Sequence, residues 1–243
     1  MEAEVFATKS FLRTGALFSV LSAVTTTVLI FGPDPATPSG FDAVQALHAN
    51  ALHIYKKWIL FLHPQFAFIA ALAAGSLIAK RSPALVTIAL FYFAIWTITE
   101  VTQQAYLIDA LNQIWRPAYL AAAGEGQTQW RTLITGMQGI SDSQYFVLLF
   151  GFSIGSILMG IAFAKERGTA KVIGYINCTI GFMSLLAFTS YYTALSGTGG
   201  IIGGWYTWIY PPVQIGVRLL LAWWLFQQSN QLMSQRAVTD RIQ

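Results

Sequence analysis

Apolar positions in this chain gather into six long runs, 12–31, 58–78, 84–106, 145–164, 172–195 and 211–226, separated by polar segments. Most reach or approach the ~20 residues an α-helix needs to cross ~30 Å of hydrocarbon. The runs are continuous rather than alternating. Within lipid, where every backbone amide and carbonyl must be paired internally, that pattern selects helices over a barrel. The predicted fold is all-α, a polytopic transmembrane bundle of six helices that consumes residues 1–243 as a single domain.

The connections differ in length. Residues 80–83 and 165–171 are tight turns. In the first long connection, Phe41, Val44, Leu47, Ala51 and Tyr55 recur at helical spacing, which predicts an interfacial helix or an outward extension of the second span. The second, 107–143, predicts a short hairpin of helices resting on the outer surface. The third, 196–210, is glycine-rich and predicts a turn, with a shallow re-entrant loop as the alternative, ending in aromatics at headgroup level. Pro64 predicts a kink in the second span.

Charge then sets orientation. With the N-terminus in the cytoplasm, that side receives Lys9, Arg13, Lys80, Arg81, Lys165, Arg167, Lys171, Arg236 and Arg241. The other side receives Lys56, Lys57, Arg116 and Arg131. The positive-inside rule therefore places both termini in the cytoplasm. Basic residues follow topology rather than forming a patch, so the net charge of +4 does not call for nucleic acid. A multi-pass protein with such minimal loops points to a bacterial inner membrane. The first run lacks a strongly basic opening and a small-residue cleavage site, and is read as a retained span rather than a signal peptide. Cys178 is the only cysteine, which leaves no disulfide and no CxxC signal.

Small residues supply the packing surfaces. Gly151, Gly155, Ser156 and Gly160 line the fourth span, Ala67, Ala71 and Gly75 the second, and Gly15, Ser19, Ser22 and Ala23 the first. Such stripes fit contacts within the chain, and equally a homo-oligomer or a partner membrane subunit.

The chemistry lies in the polar residues inside the spans. Arg218 falls seven residues into the sixth, where a central arginine costs ~2.5–3.5 kcal/mol on insertion scales. Glu100 is the only carboxylate within a predicted span, and so its expected partner. At ~1.5 Å per residue, Glu100 lies about 9 Å below Tyr106, Arg218 about 10 Å below Pro211, and His63 about 7.5 Å below Trp58. Gln65, Trp96, Gln104, Tyr192 and Gln214 gather near the same level. The candidate ligand-binding set is therefore His63, Gln65, Trp96, Glu100, Gln104, Tyr192, Gln214 and Arg218, in the outer half of the bilayer.

Three roles fit Glu100 and Arg218: a structural ion pair, an anchor for a polar or anionic ligand, or proton movement. His63 is the only histidine in a span, so a two-histidine haem site is not expected. His48 and His53, five apart in the outer connection, are read as surface residues rather than metal ligands. No nucleotide, zinc-protease or serine-hydrolase motif occurs, and no cofactor or metal is expected. The leading reading is binding or transport of a small polar or anionic molecule. A non-catalytic accessory or scaffold subunit is the alternative. An intramembrane enzyme using His63 and Glu100 rests on shared depth alone.

Overall fold

In a computed structural model the structure describes residues 7–36, 38–193 and 197–239. The predicted end of the fifth span at Leu195, the loop start at Ser196 and the basic residue Arg241 lie outside the described residues. So does the side chain of Arg236. The described chain is mostly helical, with no strand among the described residues. In order it forms α1 (Lys9–Phe31), α2 (Phe41–Gln45) with a 3₁₀ turn (Ala46–Ala49), α3 (Ala51–Ile78), α4 (Pro83–Tyr106), α5 (Arg116–Ala121), α6 (Gly124–Ala164), α7 (Thr169–Thr193), α8 (Gly199–Gly204) and α9 (Tyr210–Thr239). Two π-helical segments, Leu107–Trp115 and Trp205–Ile209, join α4 to α5 and α8 to α9.

Six of these helices are long and apolar enough to cross a membrane, which gives the chain the build of a multi-pass membrane protein. Consecutive spans pack side by side, and α9 closes against both α7 and α1. The result is a ring in the order α1–α3–α4–α6–α7–α9. Its outer surface carries exposed Leu17, Val24, Phe91, Ile98, Phe182 and Trp223, an apolar exterior that belongs in lipid.

Glycine sets how closely the ring can draw in. A Cβ built on Gly15 would stand 2.3 Å from Cβ of Ala73 on α3, and one on Gly174 would stand 2.4 Å from the Ala164 backbone nitrogen. Gly155 takes the Phe93 ring of α4, and Gly160 takes Cys178 of α7. The small-residue stripes are thus occupied by neighbouring helices of the same chain. Without a hydrophobic force between helices in lipid, this close approach holds the ring through dispersion.

Two sequence expectations change. Residues 107–143 form no separate surface hairpin. Together α4, the π segment and α5 run unbroken from Pro83 to Ala121, 39 residues, and α6 spans 41. At ~1.5 Å per residue these are about 58 and 62 Å long, roughly twice the hydrocarbon thickness. At the end of the ring opposite the Arg81–Glu166 pair they continue as a helical hairpin that turns near Gly124, where φ is +58°. A second small core of Leu111, Tyr119 and Ile134 stabilises this hairpin, with Phe41 of α2 packed on it.

The glycine-rich connection is also helical, with Gly199–Gly204 leading through the π segment into α9. Its aromatics divide: Trp208 is exposed, whereas Trp205 is buried and Tyr206 and Tyr210 pack on the main core. Lastly, the Arg81–Glu166 ion pair (3.1 Å) joins two turns at the end of the ring expected to be cytoplasmic.

Candidate functional site

Burying Arg218 in an apolar span obliges its guanidinium to find acceptors. Nε donates to Ser22 Oγ on α1 (2.8 Å). Nη1 donates to the Gln214 carbonyl one turn earlier (3.1 Å) and to Gln214 Oε1. Nη2 points at His63 Nε2 on α3 (3.3 Å). Arginine has no acceptor, so His63 Nε2 must be the acceptor and the ring proton sits on Nδ1. That Nδ1 faces Thr25 Oγ1 at 2.9 Å, and the Thr25 hydroxyl donates back to the α1 carbonyls of Leu21 and Ser22. Ser19 Oγ donates to the Arg218 carbonyl (2.7 Å). Three helices are tied through one guanidinium, and every acceptor it meets is neutral.

Glu100 does not pair with Arg218 directly. The ion pairs among the described residues are Lys56–Asp34 and Arg81–Glu166. The ring order explains this: α9 lies beside α1 and α7, with α4 across the ring. Depth counting places residues at a level and leaves their direction around the ring unspecified. The Glu100 carboxyl, buried to 8% exposure, lies beside the Trp96 indole one turn earlier and acts on Arg218 at longer range. Nor does Glu100 hydrogen-bond His63, whose two ring nitrogens are taken by Thr25 and Arg218.

Between α4 and α9 lies a cavity of about 80 Å³ walled by all six spans, room for two or three waters or a slim ligand at ~30 Å³ per water. One end is polar, formed by Ser19, Ser22, Gln214 and Arg218. Its body is mostly apolar, with Ala67, Ala71 and Ala74 on α3 and Met159 and Phe163 on α6, interrupted by Ser156 and Asn177. Trp96 stands in the wall, its ring centroid 6.4 Å from that of His63 and 5.2 Å from that of Phe152. Gln214 is 2% exposed, and its Nε2 has no partner among the described residues. Arg218 Nη2 has a second N–H beyond the one aimed at His63. The polar end therefore offers spare donors and no spare charge-balancing acceptor.

The structure thus brings His63, Trp96, Gln214 and Arg218 together. The remaining expected residues lie elsewhere. Gln65 turns its amide to the Phe61 carbonyl on its own helix (2.8 Å), one residue beyond Pro64. Gln104 is buried against Gln103 with its Oε1 unpartnered. Tyr192, 37% exposed, stacks with Phe146 and Phe188 on the outside of α6 and α7. At the end of a helix, its ring reaches aromatic neighbours before it reaches the ring interior.

Sequence reasoning missed Ser22 and Thr25, because serines and threonines in an apolar run read as packing residues. It also missed a second polar cluster, where the start of α3 meets the start of α5. There Arg116, 6% exposed, donates from Nε to Gln45 Oε1 (3.3 Å) and from Nη1 to Asn112 Oδ1 (2.5 Å) and His53 Nε2 (3.3 Å). His53 is therefore half-buried in a network rather than a free surface residue. The spacings were available: His53 with Lys57, and Asn112 with Arg116, each stand one helical turn apart.

No group of three or more histidine, cysteine or carboxylate side chains stands ready to hold a metal among the described residues. Comparison with protein-family models, curated proteins and solved structures gave no match for this chain.

Proposed function

We propose that this is an integral membrane protein that binds, and in one mode of action transports, a small anionic molecule whose slim apolar body occupies the central cavity while Arg218 and Gln214 hold its acidic end. One observation carries the reading: a guanidinium deep in an apolar span has only neutral partners, at the polar end of a cavity that also holds an unpartnered amide. Partial charge on Ser22, Gln214 and His63 spreads the cost of burying Arg218 without neutralising it. An anion would neutralise it, and a carboxylate or phosphate matches the planar fork of arginine better than the point charge of lysine. The apolar body of the cavity selects against a bare inorganic ion and for an amphiphile. Both termini are placed in the cytoplasm by the positive-inside rule, in a bacterial inner membrane, so the polar end lies in the outer half of the bilayer.

The test is native mass spectrometry of protein extracted mildly from its own membrane, beside the Arg218→Leu variant. The expected result is a small acidic molecule on the wild-type protein that is missing from a folded Arg218→Leu. A variant that folds and keeps the same bound molecules overturns the reading.

An accessory subunit is the second reading. It is favoured by the outer half of α6, which exposes Leu133 and Ile140 beyond the expected bilayer. In the same spectra, a second chain at fixed stoichiometry and an empty cavity would point to it.

A further inference from the structure

We propose that the outer cavity beneath the helical hairpin is a phosphate-binding site, formed by Lys57, Asn112, Arg116 and Ser141 and independent of the Arg218 cavity. The space measures about 190 Å³, and exposed Gln138 and Asp142 of α6 are among its lining residues. Its walls come from α3, the π segment after α4, α5 and α6, and it shares no residue with the central cavity.

The donor inventory carries the argument. Arg116 is fixed through Nε and both hydrogens of Nη1 by Gln45, Asn112 and His53, while its Nη2 has no partner among the described residues. Asn112 spends its oxygen on Arg116, and its Nδ2 is buried and unpartnered. Lys57 has no hydrogen bond or ion pair among the described residues and lines the same space. The Ser141 hydroxyl accepts from Gln103 Nε2 (2.9 Å), which leaves its own O–H to donate. Two cations, an amide and a hydroxyl thus line one space with donors that have no partner among the described residues. The one carboxylate on the wall is Asp142, which is exposed at the mouth.

A donor-rich, acceptor-poor hollow with a pre-oriented guanidinium fits an oxyanion. Donors arriving from three sides fit the tetrahedral oxygens of phosphate better than a flat carboxylate. His53 does not compete for the anion, because its Nε2 already accepts from Arg116. Lys57 immediately precedes Trp58, the start of the predicted span, so the cavity sits near the level of lipid phosphates. The phosphate can therefore be a free anion or a phospholipid headgroup, and the experiment separates the two.

Full-length protein in a non-ionic detergent is titrated calorimetrically with sodium phosphate at fixed ionic strength maintained by chloride. Its thermal unfolding is also compared in nanodiscs of phosphatidylcholine with and without phosphatidic acid. Arg116→Gln breaks three hydrogen bonds and is expected to lower folding yield, so Lys57→Gln, which breaks none, carries the test. The expected result is saturable binding weakened about tenfold or more in Lys57→Gln, as loss of a charge-assisted hydrogen bond implies, and tightened in Asp142→Asn. Heat evolved with free phosphate identifies a soluble anion. Stabilisation by phosphatidic acid alone, lost in Lys57→Gln, identifies a headgroup. If neither phosphate nor phosphatidic acid acts on the wild type, or if either acts equally on Lys57→Gln, the proposal is overturned.

Discussion

Arg218 Nη2 lies 3.3 Å from His63 Nε2, and that contact decides which ring nitrogen of His63 carries the proton. A guanidinium only donates, so Nε2 must be bare and Nδ1 protonated toward Thr25. The histidine is then a neutral relay between a cation on α9 and a hydroxyl on α1, with no lone pair left for a metal. The expected outcome is an imidazole ¹⁵N spectrum of the membrane-embedded protein showing the Nδ1–H tautomer for His63. A dominant Nε2–H signal would mean that Arg218 points elsewhere. Replacing His63 by Ala removes an acceptor for a buried charge and should cost about 1–3 kcal/mol of stability, read as a lower unfolding temperature in detergent.

Gln214→Glu tests the same charge from the other direction. The carboxylate would stand where Gln214 Oε1 already accepts from Arg218, and would supply within the chain the counter-charge that the proposed ligand brings. The variant is expected to fold with stability equal to or above that of the wild type, and to lose the bound acidic molecule from its native mass spectrum. Retention of that molecule alongside a new glutamate would show that Arg218 is not its anchor.

How much of this the sequence disclosed depends on which signals are local. The six spans were legible because the length of an apolar run is a one-dimensional property. The outward continuation of α6 was not, because a short surface hairpin over 107–143 accounts for the same polar residues, and nothing local shows that its second helix is continuous with the fourth span. Yet Trp130, Ile134, Met137 and Ser141 recur at three and four residues, a helical stripe that runs from the small outer core to the mouth of the outer cavity. At the site, counting residues along helices assigned Glu100, His63 and Arg218 to one depth. It could not give azimuth, which depends on which helices are neighbours in the closed ring. That ring order sends Arg218 toward Ser22 and His63 and leaves Glu100 on the far side, beside Trp96.

Two glycines should respond oppositely to a methyl group. At Gly174 a Cβ would meet the backbone of Ala164 and Gly160 within 2.9 Å, and backbone cannot step aside as a flexible side chain can. Gly174→Ala is expected to cost about 1–3 kcal/mol through overpacking and parting of α6 from α7. At Gly203, inside the short helix α8, no atom of the described residues lies within 4 Å of the built Cβ. Gly203→Ala should stabilise by about 0.5–1 kcal/mol, by removing unfolded-state freedom from a helical position. Unfolding temperatures of the two variants in one detergent settle the comparison, and a stabilised Gly174→Ala would contradict the close α6–α7 contact.

Orientation can be read from two positions at opposite ends of the ring. Gly126 lies just after the turn that joins α5 to α6, and Gly168 lies in the turn between α6 and α7, flanked by Lys165, Arg167 and Lys171. Both are open to substitution, with no neighbour within 3.5 Å of a built Cβ, although Gly168 has φ +60° and a cysteine there carries modest strain. Cys178 packs against Gly160 inside the bundle, so its replacement by Ala gives a thiol-free background. In intact cells an impermeant maleimide is expected to label Gly126→Cys, and to reach Gly168→Cys only after the membrane is opened. The basic turns then lie on the side where the positive-inside rule puts them, and the Arg218 end of the cavity faces outward. The reverse labelling would place Arg218 and the outer cavity toward the cytoplasm, and any bound anion would have to arrive from that side.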